Sequence, residues 1–206
     1  MKSGKAIVRG VVIVFILFAL MYVRPLIAGE IDGVVNAPRF VVGDSWEYKT
    51  VAGRQYTVMV AEVSGDSHTI TVSYEPNVRF RRNENLVIQE IEGPLSFDRR
   101  IALNWKYIDF PAKVGKQFSY RVEGSRGVFS IDTAVAGWET MRVPAGNFRA
   151  LKLESCWRNE SIGWYDCGMK YWYSPEAKAF IKRQTPSSWT PVLRNSDFEL
   201  ITFKLQ

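Results

Sequence analysis

Two hundred and six residues, 47% hydrophobic, 14% aromatic and 23% charged, make one globular domain or two small ones with enough apolar material for a core, and exclude disorder, collagen and coiled coil. The formal charge of +6 overstates the basicity: Lys2, Lys5, Arg9 and Arg24 stand in the first 28 residues with no acid, and removing these 4 from 27 leaves 23 basic residues against 21 acidic ones, a net of +2. A nucleic-acid partner, which shows itself as a concentrated basic stripe, loses its compositional support, and composition names no specific activity.

The chain opens with a short positive stretch, Met1–Gly10, then an unbroken apolar run of 13 residues, Val11–Val23. Arg24-Pro25 ends the run, and Ala28 or Gly29 supplies a small residue for cleavage. This is the order of a secretory signal peptide over residues 1–28, and the run falls short of the roughly 20 residues that span a bilayer as a helix. The imperfect cleavage site and Arg24 leave an uncleaved signal anchor as the other reading. Either one exports residues 29–206, as a periplasmic or secreted domain or as one held at the inner membrane facing the periplasm. Membrane contact is then expected only through an uncleaved leader. No cysteine directly follows the apolar run, so a lipoprotein anchor is not indicated.

Beyond Pro38 the apolar spacing is two, the period of a strand. Strands are expected over 45–51 and 55–63. The Ser64-Gly-Asp-Ser67 turn then leads into 68–74, where His68, Ile70, Val72 and Tyr74 share one face against Thr69, Thr71 and Ser73; this is the clearest hairpin. Further strands are expected over 78–82, 85–91, 96–108, 117–123, 127–136, 138–143, 148–158, 163–173, 178–184 and 195–205. Gly and Pro punctuation every dozen residues or so suits an antiparallel all-β chain. Ser174-Pro-Glu-Ala-Lys178 has the cap and the first-position proline of a single helical turn. The expected architecture is a large antiparallel sheet, open or half-barrel, with a β-sandwich as the alternative.

Val42-Gly-Asp-Ser-Trp-Glu-Tyr-Lys49 is echoed by Val114-Gly-Lys-Gln-Phe-Ser-Tyr-Arg121. The match suggests two related β units, 40–110 and 111–206, within one domain, although ordinary turn-then-strand grammar produces such pairs too. The aromatic pairs Trp46/Tyr48 and Phe118/Tyr120 would each share a strand face and are expected as core anchors.

Cys156 and Cys167, in an exported chain with strand-like sequence on both sides, are most simply a disulfide. If they face each other, Glu160–Gly163 forms the loop, Trp157 pairs with Asp166, and the register continues to Glu154 with Met169, Lys152 with Tyr171 and Leu151 with Trp172. A redox-active pair is the weaker alternative, because catalytic cysteines sit closer together at helix starts.

Little enzymatic chemistry is available. With one histidine, His-based metal sites cannot form, and His68 reads as a core or strand-end residue. No nucleophile elbow, phosphate loop or dinucleotide fingerprint occurs, and neither cofactor nor metal is expected. Glu154 and Asp166 lie among Trp157, Trp164, Tyr165, Tyr171, Trp172, Tyr173 and Trp189, as a glycosidase would need, but the expected register puts the two acids on opposite hairpin faces. Arg79, Arg81, Arg82, Arg99 and Arg100 fall in two neighbouring strand candidates. If these are adjacent, Arg79, Arg81, Arg100 and Lys106 form an outward patch for lipid head groups or an acidic partner. The plainer reading is a solvated face balanced by Glu84, Glu90, Glu92 and Asp98.

Val42-Gly-Asp-Ser-Trp-Glu-Tyr48, Val143-Pro-Ala-Gly-Asn-Phe148 and Tyr171-Trp-Tyr-Ser-Pro175, with Lys182-Arg183, resemble the pattern of uncharacterised exported bacterial β-domains grouped near the curved-sheet, lipoprotein-carrier-like families. The resemblance implies an envelope location and a broad sheet that cups an apolar ligand, and brings no catalytic residues with it. The Cys156/Cys167 pair is not part of that pattern. The expected function is therefore a non-enzymatic binding or envelope-assembly protein, holding a hydrophobic ligand or docking on an envelope protein. The alternative is a carboxylate-dependent glycan hydrolase or glycan-binding module of the cell envelope.

Overall fold

The computed structural model describes residues 30–31, 33–94, 103–124, 127–186, 188 and 194–206. The leader, Arg99, Arg100, the 96–102 part of the strand expected over 96–108, and Trp189 lie outside the described residues.

Glu30–Ile31 (β1) and Val34–Val35 (β2) make a small antiparallel pair. The period-two stretches then become β3 (Ser45–Thr50), β4 (Gln55–Ser64), β5 (Ser67–Val72), β6 (Glu75–Arg82) and β7 (Ile88–Glu92), followed by β8 (Gln117–Gly124), β9 (Gly127–Val143), β10 (Gly146–Asn159), β11 (Trp164–Ser174), β12 (Ala179–Gln184) and β13 (Phe198–Lys204). Alternation dictates their faces: Trp46 and Tyr48 in β3, and His68, Ile70 and Val72 in β5, are buried, whereas the residues between them are partly exposed.

All eleven strands from β3 to β13 form one antiparallel sheet, ordered β7-β6-β5-β4-β3-β13-β12-β11-β10-β9-β8. Two five-stranded meanders lie side by side, and the C-terminal β13 is inserted between them, bonded to β3 on one flank and β12 on the other. The edge strands β7 and β8 do not meet, so the sheet is open. An all-β antiparallel sheet, open rather than a sandwich, is therefore the fold.

The echoed segments enter their strands through the same turn. Gly43 N–H donates to Val60 C=O and Val60 N–H to Asp44 C=O, both at 2.9 Å; Gly115 and Val135, then Val135 and Lys116, repeat these bonds at 2.9 Å. Gly43 and Gly115 sit at φ +94° and +84°, a conformation that side chains disfavour.

Three sequence expectations need correction. Residues 103–108 are not strand: Asn104 takes φ +62°, and the loop uses its apolar residues as plugs, with Ile108 and Ala112 fully buried. The stretches 127–136 and 138–143 are one strand, because a bulge opposite Lys152/Leu153 absorbs the break at Gly137. The disulfide Cys156–Cys167 is present, and the register holds from Cys156 to Asn159. Beyond it a bulge shifts the pairing by one, so that Ser155 faces Met169, Glu154 faces Lys170, Lys152 faces Trp172 and Leu151 faces Tyr173. Gly168, at φ +106°, is the residue left over.

Apolar side chains gather in two clusters. One contains Trp46, Tyr48, Val60, Ile70, Phe80, Trp172, Ile181 and Leu200; the other contains Val35, Ile108, Leu151, Leu153, Tyr171 and Tyr173. Neighbours on one strand, such as Tyr171 and Trp172, thus go to different clusters, so β10 and β11 are buried on both faces. Each such Leu or Ile contributes about 1.5–3 kcal/mol of burial. The 174–178 segment is a single turn in which Ser174 Oγ accepts from Ala177 N–H at 3.3 Å, as the cap reading expects.

Candidate ligand-binding cavity

The β3–β6 registers bring alternate residues onto a common face. Tyr48 faces Tyr56, Trp46 faces Val58, Ile70 faces Phe80 and His68 faces Arg82. Phe40 from the segment before β3, Trp105 and Tyr107 from the loop after β7, Phe180 from β12 and Phe198 from β13 complete the walls of a cavity of about 370 Å³. That volume is near the lower end for small-molecule sites, which run about 300–1,000 Å³.

Ring contacts set the shape of the walls. Tyr48 stacks on Tyr56 at 5.3 Å between centroids, Tyr56 meets Tyr74 edge-on at 5.3 Å, and Tyr107 meets Tyr171 at 5.2 Å and Phe180 at 5.8 Å. Trp46 is pinned from outside this ring set by a 2.6 Å bond from its Nε1–H to the Ala177 carbonyl. Rigid aromatic walls of this kind hold a cavity open at little conformational-entropy cost.

Three unpartnered polar groups stand in the largely apolar lining. His68 is 4% exposed, and its ring lies 4.2 Å from that of Phe40. His68 Nε2, Arg82 Nε and Trp105 Nε1 are all buried and have no hydrogen-bond partner. Among the described residues no carboxylate lines the cavity or forms an ion pair with Arg82. The other cationic lining residue, Lys178, is engaged by Asp44 at 3.1 Å.

Burial, with the Arg82 charge second, pushes His68 down from 6.5 to about 3, so the imidazole is neutral near pH 7. Burial also holds the phenols of Tyr48, Tyr56, Tyr74 and Tyr107 up, and none of them supplies a negative charge. Burial pulls Arg82 down, yet a guanidinium keeps its proton in proteins. The cavity is therefore greasy, with one uncompensated positive charge and a neutral imidazole beside it.

The residues singled out in the sequence are distributed more widely. Arg79 pairs with Glu62 at 3.1 Å and Arg81 with Glu90 at 3.6 Å, all substantially exposed. Lys106 lies in the loop, not on a neighbouring strand, and pairs with Asp109 at 2.9 Å; Arg100 lies outside the described residues. Glu154 binds Lys152 at 3.0 Å, and Asp166, opposite Trp157, accepts from Ser188 Oγ at 2.7 Å. Tyr171, Trp172 and Tyr173 are core, whereas Trp164 and Tyr165 are exposed. Trp46 and Tyr48 are buried anchors and cavity wall together.

Arg82 stands in the basic cluster of the sequence but is not among the site residues expected there. Its signal was nevertheless there: two residues after Phe80 in a strand, it falls on the Val78/Phe80 face, the face that alternation sends inward.

No family model matches the chain, and no curated protein matches it. Among solved structures it is similar to the hypothetical lipoprotein YmcC of Escherichia coli, with a TM-score of 0.47 and 10% identity over 83% of this chain and 89% of that one. It is also similar to a candidate lipoprotein of Parabacteroides distasonis, with a TM-score of 0.44 and 14% identity over 82% and 98% of the two chains. A candidate exported protein with a YmcC-like fold from Bacteroides fragilis follows, with a TM-score of 0.39 and 12% identity over 84% and 99%.

Proposed function

We propose that this chain is a non-enzymatic exported protein that holds a hydrophobic ligand in the aromatic cavity of its open sheet. The observation that carries the reading is the cavity itself, about 370 Å³ lined by Trp46, Tyr48, Tyr56, Tyr107, Phe180 and neighbouring rings. A sheet face that curls around unfilled apolar space gains from an apolar guest, because burying apolar surface yields roughly 25 cal/mol per Å². The positive, apolar, then small-residue order of the leader supports export to the periplasm or retention at the inner membrane facing it. The lining contains no carboxylate among the described residues, which favours binding over the paired-acid glycan chemistry.

The test uses the full chain, expressed with its own leader and recovered from the cell envelope. Binding of N-phenyl-1-naphthylamine is measured for the parent and for Val58→Trp, which fills the cavity from β4. The expected result is saturable probe binding by the parent, weakened at least tenfold in the variant. A parent that binds no hydrophobic probe, or a folded Val58→Trp that binds as well as the parent, overturns the proposal.

A further inference from the structure

Three unpartnered polar atoms, His68 Nε2, Arg82 Nε and Trp105 Nε1, belong to residues of the same cavity wall. They come from three separate elements: β5, β6 and the loop after β7. Trp105 Nε1 and Arg82 Nε can only donate, and the imidazole nitrogen can donate in one tautomer. A buried donor without an acceptor is costly, and Arg82 carries a buried, unpartnered Nε on a half-buried side chain with no carboxylate paired to it. The tyrosines that flank Arg82 are held neutral, Glu62 of β4 and Glu90 of β7 are spent on Arg79 and Arg81 outside the cavity, and Glu92 of β7 stands opposite Arg79 in the register. Lys178, already matched by Asp44, adds no competing demand.

Resting on the binding reading above, we infer that the ligand is an anionic amphiphile, with an oxyanion against Arg82, Trp105 and His68 and an apolar chain among the aromatic rings. Donor-only groups select an acceptor head, and the unpaired cation selects a negative one. The cavity limits the chain: about 370 Å³ holds about a dozen heavy atoms at roughly 30 Å³ each. A single medium-length chain fits, and a two-chain lipid does not fit whole. Carboxylate and phosphate heads share the required chemistry, so a free fatty acid and a lysolipid-like phosphate ester are both sources of such a ligand.

The experiment compares four probes sharing a decyl chain: decanoate, decyl phosphate, decanol and decyltrimethylammonium. Each is titrated calorimetrically into the full chain and into Arg82→Met. The parent is expected to bind decanoate or decyl phosphate at least tenfold more tightly than decanol, and decyltrimethylammonium more weakly than decanol. The stronger of the two anions identifies the source. Arg82→Met is expected to lose the preference while still binding decanol. Because the chain has one histidine, its imidazole NMR signals give a second readout that needs no variant: they should move on adding decanoate, and far less on adding decanol. Equal binding of decanoate and decanol by the parent, with a still His68 signal, overturns the anionic head and leaves the hydrophobic cavity standing. Failure of all four probes overturns both.

Discussion

Lowering the pH from 8 to 5 should destabilise the protein through a single side chain. His68 is almost fully buried, packs on Phe40 and faces Arg82 across the β5–β6 ladder. Burial and then the Arg82 charge hold its imidazole at about 3, against 6.5 for the free group. The unfolded chain therefore takes up a proton at His68 between these two values and the folded chain does not. Stability from this source is complete above pH 6.5 and falls as the pH drops towards 3, by about 1.4 kcal/mol per pH unit within that window. Between pH 8 and 5 the loss is about 2 kcal/mol, before ordinary carboxylates begin to titrate. Urea unfolding at the two pH values measures it, and the same experiment on His68→Leu subtracts every other group. The expected difference between parent and variant is that 2 kcal/mol, and the imidazole NMR signal of the parent should not titrate from pH 8 to 5. A folded-state titration near pH 6.5, or identical pH dependence in His68→Leu, would refute the burial argument.

Asp44→Ala should destabilise the protein by about 3 kcal/mol in urea unfolding, because its fully buried carboxylate accepts from Val41 N–H at 3.0 Å, Lys178 Nζ at 3.1 Å and Gln206 N–H at 2.8 Å; a loss below about 0.5 kcal/mol would show these bonds to be incidental. Replacing both Cys156 and Cys167 by Ala should lower stability by about 2–3 kcal/mol through the freer unfolded chain, with reduced parent and double variant melting together. Arg82→Met should leave the empty protein as stable as the parent or about 1 kcal/mol more so, since it removes a half-buried charge whose buried Nε has no partner and which no described carboxylate balances; marked destabilisation would mean that Arg82 is structural.

Period-two patterning was enough to place most strands of the sheet, because each strand has to send one side inward and residues such as Ile70, Val72 and Phe80 leave no choice of face. It failed where apolar residues are supplied by a loop. Leu103, Trp105 and Tyr107 alternate as a strand would, but the positive φ at Asn104 breaks the extension, and local spacing cannot tell a strand from a plug. Register past the disulfide failed for a similar reason: a bulge at Gly168 is a local insertion that the cysteine spacing cannot reveal. The cavity itself was beyond local reading. Its wall joins residues from 40 to 198, brought together only because β13 returns to lie between the meanders. His68 and Arg82 were each visible as inward positions, whereas their pairing rests on the β5–β6 register.

The position of β13 also bears on why the charge is tolerated. With β13 inserted at the centre, β3 and β12 are held as second neighbours, and Tyr48 of β3, Phe198 of β13 and Phe180 of β12 reach the same cavity. The wall thus depends on long-range pairing, and it is supported by the buried Asp44 bond to the backbone just beyond β13. A frame anchored this way can bear a local deficit of about 1 kcal/mol at Arg82 without unfolding, since the charge sits at the last residue of β6, one strand in from the sheet edge. An incoming anion would cancel the deficit at the one place where the frame leaves it open, so binding affinity and apo stability should trade against each other at the same residue.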